Sequence, residues 1–300
     1  MMKTGLPALI HPLSMSQFLS HYQENEPFLV EASAPEINSI KELPFLASLD
    51  ALLNSWPHVI SAHLPDLRDE ASAIDTTAKD AGKLYQNGMG LLFNDAETIS
   101  PLLNSWLMDI RKDLGISALT ISRCLIYATP DGKGTAPHFD QNINFVLQLH
   151  GTKKWWMAPN REVLNPLSRH TMGLPSDPEL ASYSESEMPE SLPSDAICYE
   201  LHPGSVLFVP RGYWHATEAR GDALAINFTF TAPTWIDLFT AALRSRLALS
   251  PAWRETADGV SDEDRLVSAH HKFDYLLSTL IQDLPNWKAQ DILEATDPEN

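Results

Sequence analysis

Residues 135–150 read TAPHFDQNINFVLQLH, and this stretch decides the fold. Ile143, Phe145, Leu147 and Leu149 alternate with Asn144, Val146, Gln148 and His150. A period of two marks a strand, because successive side chains leave a strand on opposite faces. Just upstream, His138 and Asp140 stand at i and i+2, so on an extended segment both point the same way. A second block, Pro210-Arg211-Gly212-Tyr213-Trp214-His215, places another imidazole 75 residues after Asp140. Two imidazoles and one carboxylate on one face of a metal leave the opposite face open, which is the facial donor set suited to non-heme Fe(II). His138, Asp140 and His215 are therefore the candidate metal ligands.

The β signals extend on both sides of that stretch. Leu119 to Thr129 is rich in branched residues. Lys153 to Ala158 follows a His150-Gly151-Thr152 turn, and Ser205 to Val209 follows Pro203-Gly204. From Ala223 to Phe230, Leu224, Ile226, Phe228 and Phe230 alternate with Ala223, Ala225, Asn227 and Thr229. Many short strands separated by turns predict a sandwich or barrel. Small and polar residues on one strand face point to a lumen with room for a ligand. Between Pro159 and Asp195 lies a Ser/Pro/Glu-rich stretch, long for a loop in a compact domain. Loops of that length are either functional or mobile; a disposable insertion is the equal alternative.

The flanks read differently. Ser14 can cap a helix running through Tyr22, Leu46 to Trp56 and Glu97 to Leu114 have helical apolar spacing, and Phe28 to Val30 and Gly90 to Phe93 read as short strands. After Pro233, Trp235, Leu238, Phe239, Ala242 and Leu243 keep one helical face. Ser261 with Asp264 resembles a capping box before a second helix that carries Leu266, Phe273, Leu276, Leu277, Leu280 and Ile281 up to Pro285. The expected organisation is a mixed α/β region at 1–117, a catalytic core at 118–233 and a helical region at 234–300. The two C-terminal helices carry more apolar surface than a short tail needs, so a homodimer is expected with Leu276, Leu277 and Leu280 in its interface.

Composition narrows the partners. The formal net charge is −18, and the densest basic pair in the core is only Lys153-Lys154. A general nucleic-acid binder needs basic patches to neutralise phosphates, so nucleic acid is not expected as a partner. No run of about 18 apolar residues occurs, so no membrane span is expected. The start, Met1 to Pro7, lacks a charged segment followed by an apolar one, so no secretory signal is read there. Two cysteines, Cys124 and Cys198, cannot build a disulfide framework, and a reducing cytoplasm is the natural setting.

Taken together, these blocks resemble the JmjC/cupin-like Fe(II)- and 2-oxoglutarate-dependent oxygenases, in particular the bacterial cupin-like group related to asparaginyl hydroxylases and ribosomal oxygenases. The resemblance is strongest from Ser122 to Phe230. It implies a mainly β fold, a double-stranded β-helix with flanking helices and a C-terminal helical extension. It also implies Fe(II) held by His138, Asp140 and His215, with 2-oxoglutarate as co-substrate. In that family a Thr three residues before the first His can bond the co-substrate, and Thr135 holds that place. Asn144, Lys153 and Asn227 match the other positions, with Lys153 matching the cation that pairs with the distal carboxylate. A buried dicarboxylate needs a cation to offset its desolvation, and hydroxyl and amide donors for its remaining oxygens. Tyr213 and Trp214 are expected to support the distal ligand. Trp155 and Trp156 are read as core packing before substrate contacts, and His150, His170, His202, His270 and His271 as surface or packing residues.

The resemblance implies hydroxylation of a C–H bond, with a protein or peptide substrate favoured over a small molecule or a tRNA base. Two other readings stand beside it. One is a cupin enzyme of different metal chemistry, which usually carries more His and a Glu near the first pair. The other is a binding module that keeps the barrel without turnover, against which the complete triad speaks.

Overall fold

The computed structural model describes residues 4–32, 34–64 and 73–296. Of the stretch read as lacking a secretory signal, residues 1–3 lie outside that set. The described strands are β1 (Phe28–Glu31), β2 (Ile60–His63), β3 (Ile74–Thr76), β4 (Gly90–Phe93), β5 (Ile121–Thr129), β6 (Gly134–Phe139), β7 (Ile143–Ala158), β8 (His170–Thr171), β9 (Ile197–Leu201), β10 (Ser205–Val209) and β11 (Trp214–Thr231). They pair antiparallel in the order β1-β10-β7-β11-β5-β4-β2-β3, with β6 between β11 and β8, and β9 on β7.

Two long strands make this a double-layered barrel. The first half of β7 (143–150) pairs with the second half of β11 (224–230), and the second half of β7 (152–158) with the first half of β11 (214–220). Register breaks at Arg220, Leu224 and Ala225 bend the pair into the opposite wall. The sequence reading broke β7 at His150-Gly151-Thr152 and did not join Trp214 to Ala223; the structure has a bend where it expected a turn. Gly151 makes the bend: its φ is +67°, and a Cβ there would lie 2.1 Å from the Asp222 carbonyl oxygen. The larger wall, β1-β10-β7-β11-β5-β4-β2-β3, packs on the N-terminal helices; the smaller wall is β8-β6-β11-β7-β9.

The outer face of the larger wall holds the main core. Phe28 of β1, Phe208 of β10 and Phe145 of β7 meet Phe18, with ring centroids 5.1 to 5.9 Å apart. Phe18 is buried by the helix Met15–Gln23, whose N-terminus carries a full capping box between Ser14 and Gln17. The helix expected over Glu97 to Leu114 begins instead at Pro101 and ends at Asp113. Ser100 caps it by accepting from the Leu103 N–H at 3.3 Å, and Pro101 occupies its first turn, where a missing N–H is harmless. It buries Leu103, Trp106, Leu107 and Ile110.

The Pro159–Asp195 segment is built, not bare. It contributes β8 and the short helix Pro178–Tyr183, and its Val163, Met172 and Leu180 pack with Phe139, Ala158 and Trp214 in a small core of their own.

By its contacts the chain divides into two compact units, one of residues 4–116 and 121–231, the other of 117–120 and 232–296. The second is helical: Trp235–Leu247, Leu266–Asp283 and Ala289–Thr296. Thr234 and Asp237 form the capping box of its first helix, and Arg246 grips Asp283 through two bonds of 2.7 and 2.8 Å. The box expected at Ser261 does not form. Asp262 instead accepts from the Asp264 N–H and the Arg265 guanidinium, and the helix starts at Leu266. The last helix, past Pro285, was not foreseen.

Candidate metal centre

Strand pairing brings the first and last ligands together. His138 on β6 lies directly opposite His215 on β11, and their ring centroids are 4.1 Å apart. Asp140 follows one residue beyond the end of β6. Its Oδ2 stands 3.8 Å from His138 Nε2 and 3.6 Å from His215 Nε2. One ligand atom from each residue lies within 4.8 Å of the others.

The donor set fits a divalent metal. His138 Nδ1 donates to the Ala136 carbonyl at 2.7 Å and His215 Nδ1 to the Tyr213 carbonyl at 2.9 Å. Each ring so tied presents an unprotonated Nε2 to the same point. Burial, reinforced by the neighbouring His138, pushes the His215 imidazole down to about 3, which keeps it neutral and able to ligate. Burial pushes the Asp140 carboxyl up, but His138, His215 and Arg169 outweigh it and hold it below the usual carboxylate range.

The three residues open into a cavity of about 130 Å³, room enough for a small polar ligand. All four residues matched to the co-substrate line it: Thr135, Asn144, Lys153 and Asn227. Lys153 is 4% exposed, donates to Thr129 Oγ1 at 3.1 Å, and holds its ammonium 5.8 Å from the Tyr127 and Trp155 ring centres. Lys154 points the other way, to Glu200 at 3.7 Å. Thr135 Oγ1 bonds Thr217 Oγ1 at 2.9 Å, and Thr229 donates to Asn144 Oδ1 at 2.5 Å. Asn227 Oδ1 and Trp155 Nε1, buried polar atoms on lining residues, have no hydrogen-bond partner among the described residues. Such orphans are costly in a finished core and ordinary in a cavity shaped for a polar ligand.

The segment from His138 to Asn144 is not one strand. β6 ends at Phe139 and β7 begins at Ile143, yet both ends of the bend face the one cavity. Trp155, read as core packing, also lines the cavity and stacks on the His215 ring at 5.6 Å. Trp214 is fully buried against Phe139 at 4.7 Å and donates to Glu162 Oε2. Of the other histidines, His170 is buried against Phe139 and Trp214, and His150, His202, His270 and His271 are exposed.

The sequence reading missed Tyr127, Thr129, Thr217 and Arg169. Tyr127 and Thr129 stand two apart on β5, and Thr217 stands two after His215, so the period that paired His138 with Asp140 could have found them. Nothing local marks Arg169.

This fold and this site define a metal-dependent oxygenase built on a double-stranded β-helix. The JmjC domain family matches residues 104–238. An uncharacterized protein of Bacillus subtilis (strain 168), YxbC, is 30% identical over 93% of this chain and 86% of its own length. Ribosomal oxygenase 1 of Gallus gallus is 26% identical over 81% of this chain, which spans only 39% of that relative. The structure of the Escherichia coli ribosomal oxygenase YcfD superposes with a TM-score of 0.56 at 19% identity, over 90% of this chain and 67% of that one. The chain belongs to the JmjC family.

Proposed function

We propose that this oxygenase hydroxylates a side chain of a protein, with a basic ribosomal protein as the favoured substrate class. The observation that carries it is the complete His138-Asp140-His215 set beside the Lys153 cradle, in a chain that aligns along most of its length with ribosomal oxygenase 1. The net charge of −18 supports it, since an acidic protein attracts basic partners by long-range steering. In this reading His138, Asp140 and His215 hold Fe(II). Lys153 pairs with the distal carboxylate of 2-oxoglutarate, and Thr135, Asn144 and Asn227 satisfy its remaining oxygens. Bound iron would activate dioxygen, the oxidant, with 2-oxoglutarate as the two-electron reductant: one oxygen atom would enter the C–H bond and the other succinate, with carbon dioxide released. The chain's own work is to hold neutral imidazoles in place, to neutralise a buried dicarboxylate and to line the site with fixed dipoles.

No helix among the described residues is long and apolar enough to cross a membrane. Two free cysteines, Cys124 buried and Cys198 exposed, suit work in a reducing cytoplasm. We also place the protein in a homodimer formed through its C-terminal helices, where Phe239, Phe273 and Leu277 are exposed, as are Val267 and Ile281. Leu276, expected in that interface, is 8% exposed.

The test is succinate formation from 2-oxoglutarate with Fe(II) and ribosomal-protein peptides, together with mass spectrometry for an added oxygen atom. Peptide-dependent succinate that vanishes in Asp140→Ala is the expected result. Turnover with no oxygen gained by any basic peptide overturns the substrate class.

A further inference from the structure

The Pro159–Asp195 segment reaches the metal centre through one side chain. β8 pairs with β6 in the register His138↔Thr171 and Phe139↔His170. One step along that antiparallel register sets Arg169 against Asp140, so Arg169 and Thr171 share the face that carries His138 and Asp140. Arg169 Nε lies 3.2 Å from Asp140 Oδ1, and its Nη1 donates to Thr171 Oγ1 at 3.0 Å. The other carboxylate oxygen, Oδ2, is the one facing both imidazoles. The main chain around the pair is fixed as well: Met172 N–H donates to the Pro137 carbonyl at 2.8 Å, and Gly212 N–H to the Asp140 carbonyl at 2.8 Å.

We propose that Arg169 is a positioning residue that restricts Asp140 to binding metal through one oxygen. The proposal rests on the Fe(II) and 2-oxoglutarate reading. A six-coordinate ion with three protein ligand atoms keeps three open positions. A 2-oxoglutarate chelating such an ion would take two of them and leave one open. If Asp140 turned to bind through both oxygens, the third position would close. Arg169 prevents this by occupying Oδ1. A guanidinium suits the task because its planar fork reaches two partners at once and stays charged at any working pH. The otherwise unexplained segment is thereby part of the metal site, tied to it by strand pairing and by its own small core on Phe139 and Trp214.

The test uses Mn(II) alone, with the waters on the bound ion counted by water-proton relaxation. Wild type is expected to show three, and Arg169→Ala two, a loss of about one third of the bound-water contribution. Arg169→Lys keeps a cation beside Oδ1 and is expected to restore the third water. If Arg169→Ala does not fold, Arg169→Met keeps the packing of the stem and carries the same readout. An equal count in wild type and the uncharged variants overturns the proposal, as does a count of two in wild type. Failure of wild type to bind Mn(II), or binding that survives His138→Ala, overturns the metal reading on which it rests.

Discussion

Lys153 shows how a single buried residue can be read two ways. A lysine on a strand is ordinarily a solvated face, and its neighbour Lys154 is one, bridging to Glu200. Lys153 instead lies inside the barrel with its ammonium against Thr129, Tyr127 and Trp155. It stands on β7, opposite Ala219 of β11 and four residues along that strand from His215. Removing it leaves the three metal ligands in place and takes away the cation for the distal carboxylate. Lys153→Ala is therefore expected to raise the apparent KM for 2-oxoglutarate at least tenfold, with Mn(II) affinity unchanged within about twofold. Steady-state kinetics alongside metal titration check this, and unchanged 2-oxoglutarate affinity rejects the assignment. That Lys153 serves the site was expected from the family resemblance. Its hydroxyl partner Thr129 was not, because Thr129 comes from β5, which reaches the site only when the barrel closes.

At the level of elements, the centre depends on β6 and β11 lying close together. The tightest point is Gly134, where a Cβ would fall 1.8 Å from the Thr217 carbonyl oxygen. Backbone cannot give way there without moving one strand off the other, and the same pairing sets His138 opposite His215. Gly134→Ala is expected to part the strands locally and weaken Mn(II) binding by about tenfold or more, in the range seen when groups that orient metal ligands are lost. Electron paramagnetic resonance titration measures it; wild-type affinity in a folded variant would show that the close approach does not govern the ligand geometry. Helix ends were legible where a capping side chain was read, as at Ser14. They were misplaced where the deciding feature was a partner elsewhere. Ser261 looked like a cap, but Asp262 claims the nearby donors first.

For the whole molecule, the helical unit of residues 232–296 presents Trp235, Ile236 and Phe239 on its first helix, and Val267, Phe273 and Ile281 on its second, all well exposed. Scattered apolar residues are normal on a surface, but this many on two neighbouring helices is the composition of an interface. A second copy is the partner we propose. Multi-angle light scattering at micromolar concentration is expected to give about 67 kDa, twice the 33.4 kDa of one chain. A mass of one chain at that concentration rejects an obligate dimer, since an interface of ordinary size persists there.

By itself the sequence determined the β character of residues 118–230 and the three candidate metal ligands, while Lys153 was reached through the family resemblance. The first two follow from short-range rules: alternation at period two, His-x-Asp on one strand face, and the matched spacing of the second block. Only the tertiary structure decided that β7 and β11 run through both walls, that Thr217 and Tyr127 complete the cavity, that Thr129 meets the Lys153 ammonium, and that Arg169 rests on Asp140. Those contacts join residues far apart in the chain. They depend on strand register, which is set by how the barrel packs as a whole and leaves no mark on the residues nearby.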